Sequence, residues 1–156
     1  MEDRFKFRVW CVNKNKWETG KVYLDNEGRI YDDFHRVKKE THIINFCTGL
    51  KDKNGKLIYE GDIVKIPTQC NKEIHGSYSL HEIVWRNGFW VLSYISSETG
   101  YKLPRGWTAC FMHNQQSDEF EKEFIFTNED MFCTYNTLEV IGNIYENEEL
   151  LNGNKK

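Results

Sequence analysis

Apolar and polar side chains alternate from the start of the chain. In Phe5-Lys6-Phe7-Arg8-Val9-Trp10, the residues Phe5, Phe7 and Val9 fall on one face. That alternation predicts a strand with one side against a core. The polar stretch Asn13-Lys14-Asn15-Lys16 predicts a turn, and Trp17 opens a segment that continues through Val22-Tyr23-Leu24 to the turn Asp25-Asn26-Glu27-Gly28, with Ile30 and Tyr31 beyond. A meander is the simplest arrangement of these pieces. Residues 32–42 are charged and aperiodic and read as a loop, after which Ile43-Ile44-Asn45-Phe46 rebuilds an apolar strand. The run Ile63-Val64-Lys65-Ile66 stops at Pro67, which cannot donate to a ladder and so predicts a strand end or an edge.

The sharpest local signal is Ile83-Val84-Trp85-Arg86-Asn87-Gly88-Phe89-Trp90-Val91-Leu92. Asn-Gly between two apolar strands favours a tight hairpin, because both residues tolerate positive φ. A two-residue loop pairs Arg86 with Phe89, Trp85 with Trp90, Val84 with Val91 and Ile83 with Leu92. Both tryptophans then share a face with Ile83 and Leu92, and that face is expected to be the deep core.

Between these strands lies Cys47-Thr48-Gly49-Leu50-Lys51-Asp52-Lys53-Asn54-Gly55-Lys56-Leu57-Ile58-Tyr59-Glu60-Gly61-Asp62, a stretch of turn chemistry set among hydrophobic anchors. Residues 96–119 read as a long loop excursion interrupted by Leu103, Trp107, Phe111 and Met112. Phe124-Ile125-Phe126 predicts a strand and Asn128 to Tyr135 at most a short helix. Leu138 to Tyr145 predicts a terminal strand, with Gly142 marking a bulge or a close backbone approach. Residues 1–150 are expected to form one domain and 151–156 a frayed tail.

Composition supports a strand-rich reading. Aromatics make up 15% of the 156 residues and there are only two prolines. A net charge of −3 gives no broad positive field for duplex nucleic acid, although Lys51, Lys53, Lys56 and Lys65 concentrate around the central hairpin. Five cysteines at irregular spacings and no leading apolar segment point to a reducing, cytoplasmic setting. No apolar run approaches the roughly 20 residues of a membrane-spanning helix.

Three blocks occur together. They are Phe5-Lys6-Phe7-Arg8-Val9-Trp10, then Thr48 to Lys56 with Ile58-Tyr59-Glu60-Gly61-Asp62-Ile63-Val64, then Leu138 to Asn147. In that order they resemble the YopX family of small phage and prophage proteins. The resemblance implies a mainly β fold built around a small SH3-like barrel with long loop excursions and little helix. It implies no established enzymatic activity and supplies no catalytic residues to carry over. The chain departs from the family pattern at Cys11-Val12, where an acidic residue tends to follow Trp10, and at Glu148, where proline commonly follows the Glu-Asn pair.

Candidate chemistry is sparse. Cys70 and His75 with Cys110 and His113, and His81 nearby, only loosely approximate the paired spacing of a structural zinc, so no metal and no cofactor is expected. No nucleophile elbow, phosphate loop or zinc-protease helix occurs, and the expectation is a protein that is not an enzyme. Glu60 and Asp62 flank Gly61 and read as turn formers ahead of an acid–base pair. Trp10, Trp17, Tyr23, Tyr59 and Tyr94 beside Lys16, Lys21 and Lys65 offer stacking platforms for single-stranded nucleic acid, the less favoured partner. The favoured reading is a binding module that contacts a host or phage protein in the bacterial cytoplasm, with self-association as a further option. Trp107, Phe111, His113 and Tyr101 in the loop excursion are its first candidate contact residues.

Overall fold

The computed structural model describes residues 3–32, 35–37, 40–70, 73–86, 88–98, 108–110, 124–125, 132–133 and 138–152. Its strands are β1 (Phe7–Cys11), β2 (Lys16–Trp17), β3 (Val22–Leu24), β4 (Ile30–Asp32), β5 (His35–Arg36), β6 (His42–Lys51) and β7 (Leu57–Tyr59). They continue as β8 (Asp62–Cys70), β9 (Glu73–Arg86), β10 (Phe89–Ser97), β11 (Thr108–Cys110), β12 (Phe124–Ile125), β13 (Phe132–Cys133) and β14 (Glu139–Asn143). One short helix, α1 (Glu148–Leu151), follows. The architecture is mainly β, with a sheet curled into a half-barrel and almost no helix, as expected. Among the described residues no helix is long and apolar enough to cross a membrane.

A five-stranded sheet ordered β11-β10-β9-β8-β14 carries the core. The β9–β10 hairpin has the predicted register, with Phe89 opposite Arg86 and Leu92 opposite Ile83. Gly88 sits at φ 86°, the left-handed conformation this tight turn requires. Ile58, Val64, Ile66, Ile83, Leu92, Leu138 and Val140 pack together, with Leu50 and Trp90 leaning on them. Here one expectation is corrected: Trp85 shares the face of Ile83 but stands 51% exposed beside the turn of the hairpin. Its ring meets that of Trp90 edge-to-face, at 4.8 Å between ring centroids. The face was read correctly; the core ends one pair short of the turn.

Pro67 does not stop β8, which runs on to Cys70 with an irregularity between Pro67 and Gln69. Among the described residues pairing with β14 ends at Lys65, so Pro67 lies beyond the β14 ladder, where a missing N–H is tolerated. Gly142 produces the expected bulge, with the register shifting between Val140 and Gly142. The excursion after residue 96 is not all loop. β10 extends through Ser97, and Thr108–Cys110 returns to pair with Val91–Ser93. Likewise His35–Arg36 pairs with β4 in the stretch read as a loop, and Phe132–Cys133 pairs with β12 where a short helix was expected.

The second sheet is ordered β2-β1-β6-β7, and β3-β4-β5 form a small meander. Asp52 ties the Asn54-Gly55 turn to the far end of the chain. Its Oδ1 accepts the Asn54 and Lys56 N–H groups, each at 2.9 Å, and its Oδ2 accepts Val140 N–H at 3.0 Å. Burial pushes this carboxyl up, but the three backbone donors outweigh it and hold it below the usual carboxylate range.

Candidate functional site

The three sequence blocks converge on Arg8. Its side chain leaves β1 on the face of Trp10 and Asn45, opposite the face of Phe7 and Val9, because residues alternate along a strand. The guanidinium lies 4.2 Å from the Trp17 ring centroid and 4.9 Å from that of Tyr59. Nη2 donates to Asp62 Oδ1 at 2.5 Å, while Asp62 Oδ2 accepts the Tyr59 N–H at 2.8 Å. Asp62 is thus the turn former the sequence suggested, with its carboxylate committed to Arg8 and to its own turn. Burial drives its carboxyl above the usual range, and the Arg8 charge only partly offsets this.

Around this ion pair the rings lock together. Trp10 stacks on Tyr145 at 5.1 Å, and Trp17 meets both edge-on. Trp17 Nε1 donates to Glu146 Oε2 at 3.0 Å, which also accepts from Asn143 Nδ2 at 2.6 Å. Gly61, at φ +74°, passes so close that a Cβ would sit 3.0 Å from Asn45 Oδ1. This centre is a fastening of one sheet to the other, with its polar groups turned inward.

A different surface opens where the sheets meet. Glu60 N–H donates to the Phe46 carbonyl at 2.9 Å, and Gly61 N–H donates to the Ile83 carbonyl at 2.8 Å, which stitches β6 to β9 across the β7–β8 turn. The Glu60 carboxylate lies by the backbone of Trp85 and Phe46. Both residues are exposed, Phe46 by 43% and Trp85 by 51%. Phe7 meets Phe46 edge-on at 6.4 Å and widens the apolar surface. Burial raises the Glu60 carboxyl, against a smaller opposing effect of that backbone. Burial and then the neighbouring Glu60 charge raise Glu82 as well. The seam is an aromatic surface with acidic groups set into it, a composition suited to contact.

The YopX protein family model matches residues 6–152, nearly the whole chain. The chain belongs to the YopX family. The crystal structure of protein EF1440 from Enterococcus faecalis is similar in fold to this YopX chain, with a TM-score of 0.50 at 22% identity over 94% of this chain and 96% of that one. A comparison with curated proteins found no match.

Other expectations for this YopX protein divide as follows. Trp107, Phe111, His113 and Tyr101 lie outside the described residues, as does the middle of the excursion. Of the loose zinc set, Cys70 ends β8, His75 lies in β9 and Cys110 ends β11, with only their backbone described. His81 is buried, its Nε2 2.9 Å from Ser79 Oγ and its ring edge-on to Tyr94. Burial depresses its pKa to about 4, against a smaller opposing effect of Leu92. Of the five rings considered as stacking platforms, Trp10, Trp17 and Tyr59 are consumed by the Arg8 centre, whereas Tyr23 is exposed. The Phe46–Glu60–Trp85 surface went unread because Trp85 carries the alternation of a core residue. Only the distance of the turn from the core separates the two outcomes.

Proposed function

We propose that this YopX-family chain is a non-catalytic binding module, encoded by a phage or prophage, that engages a host or phage protein through the seam at Phe46, Glu60 and Trp85. It works in the bacterial cytoplasm, and blocking a host defence or transcription component is the narrower form of the same role. What supports the reading is the pair of large aromatics standing exposed on residues whose backbone adjoins the half-buried Glu60 carboxylate, the composition of an interface anchor. The net charge of −3 and the internal commitment of Trp10, Trp17 and Tyr59 weigh against nucleic acid.

The test is affinity capture from host lysate with the wild type and a Phe46→Ser/Trp85→Ser double variant, folding being checked by circular dichroism. One stoichiometric protein should be retained by the wild type, and its affinity for the folded double variant should fall by about 30-fold or more, the loss of a single anchor of about 2 kcal/mol. Retention of nucleic acid alone, released steeply by salt, would overturn the proposal. So would a captured protein that binds the double variant equally well.

A further inference from the structure

Three potential metal ligands meet on the opposite face of β1 from Arg8. Cys11 stands directly across from His42 in the β1–β6 pair, so the two side chains share a face. Glu18 follows β2, and its N–H donates to the Val9 carbonyl at 2.9 Å, which swings its carboxylate to the same place. One donor atom from each of the three lies within 4.8 Å of the others.

Burial and hydrogen bonding single this cluster out from an ordinary surface grouping. Cys11 is fully buried, His42 is 9% exposed, and the Glu18 side chain is 8% exposed. Thr41 Oγ1 lies 2.8 Å from His42 Nδ1, and the tautomer with Nδ1 protonated towards that oxygen carries its lone pair on Nε2, the form a metal takes. That Nε2 is buried and has no hydrogen-bond partner. It lies 3.4 Å from Glu18 Oε1, close enough for an ion pair if the ring were protonated but outside hydrogen-bond geometry. A buried ring nitrogen without a hydrogen-bond partner, facing a carboxylate and a thiol, gives a cation three donor atoms of different type in one place.

We propose that Cys11, Glu18 and His42 bind a divalent cation of the zinc class. A tetrahedral zinc with bonds of about 2.0–2.3 Å holds its donors about 3.5 Å apart, and the His42–Glu18 separation already has that value. One sulfur, one imidazole and one carboxylate suit zinc better than calcium or magnesium, which favour all-oxygen shells. Cys11 releases its thiol proton to solvent on binding. The resulting thiolate and the carboxylate together balance the metal's two positive charges. Lys14, half-exposed, reaches Glu18 Oε1 at 2.8 Å from the solvent side and can withdraw along its flexible stem. A water completes the shell. The burial of all three ligands makes the site a clamp that pins the β1–β2 hairpin to the start of β6, where Val12 N–H already donates to the Thr41 carbonyl at 2.9 Å.

Titration of the full chain with Co²⁺ reads this directly. A thiolate-to-cobalt charge-transfer band and tetrahedral visible bands are expected, with Zn²⁺ displacing the cobalt. Cys11→Ser should abolish the charge-transfer band, and His42→Gln and Glu18→Gln should weaken binding by about 100-fold or more. Thr41→Val, which loosens the ring without removing a ligand, should weaken it about tenfold. Cys47→Ser should leave it unchanged. Because serine at buried position 11 can itself impair folding, X-ray absorption on the zinc-loaded wild type supplies a second reading: one sulfur, with nitrogen and oxygen otherwise. The proposal is overturned by a folded wild type that gives no charge-transfer band, by a band that survives in folded Cys11→Ser, or by a zinc shell with no sulfur or more than one.

Discussion

Replacing Arg8 by methionine tests the fastening at the centre of the molecule. Asp62 is 1% exposed, whereas the Arg8 side chain is 22% exposed, so the pair is asymmetric. Removing Arg8 strands a buried carboxylate whose remaining donor is the Tyr59 N–H at 2.8 Å. Uncompensated burial of that kind costs about 3–5 kcal/mol. Lost stacking on Trp17 and Tyr59 adds about 0.5–1 kcal/mol for each ring, less what the methionine stem recovers. Asp62→Asn, by contrast, leaves an arginine that can still reach water and should cost about 1–2 kcal/mol. In the double variant no charge is stranded, so its loss should fall below the sum of the singles by about 1–3 kcal/mol. The pH dependence has a definite sign. Burial already raises the folded pKa of Asp62 above its unfolded value, and loss of Arg8 raises it further. The destabilisation is therefore full at neutral pH and shrinks as pH falls through the folded pKa towards the ordinary carboxylate value. Urea unfolding followed by tryptophan fluorescence, at neutral and mildly acidic pH, measures all of these quantities. Strict additivity of the two single losses would refute the argument, as would an Arg8→Met penalty that grows on acidification.

The other predictions concern titration and the extent of the core. His81, with its pKa depressed from 6.5 to about 4, contributes stability that is complete above 6.5 and lost as pH falls from there to about 4. The full loss is about 3 kcal/mol, and the difference in urea midpoint between wild type and His81→Gln across that window should follow it. Ile83→Ala, in the centre of the core, should cost about 2–5 kcal/mol, while Trp85→Ala, two residues along on the same face, should cost about 1 kcal/mol or less in thermal or urea unfolding. Equal losses at the two positions would show that the core reaches the end of the hairpin.

Much of this fold was legible because strand chemistry is local. Asn87-Gly88 set the register of β9 and β10, Asn54-Gly55 marked its turn, and the alternation in Phe5 to Trp10 separated the Arg8 face from the Val9 face. Asp62 was readable as a turn former for the same reason, since its acceptor reaches an N–H only three residues away. The short pairings of β5, β11 and β13 were not readable. Strands of two or three residues have no period, and which segment they pair with is decided by the chain brought alongside them.

The amino-acid order by itself determined which residues turn, which alternate and therefore which side chains share a face. It also identified the family, through blocks whose convergence on one ion pair the structure then displayed. Tertiary structure alone decided how far the core extends along each face. It left Trp85 in solvent and Ile83 in the interior although they share a face. It also brought Cys11, Glu18 and His42 together from three separate segments. Burial and side-chain convergence are properties of the layer packed over a strand, and the strand's own period carries no record of that layer.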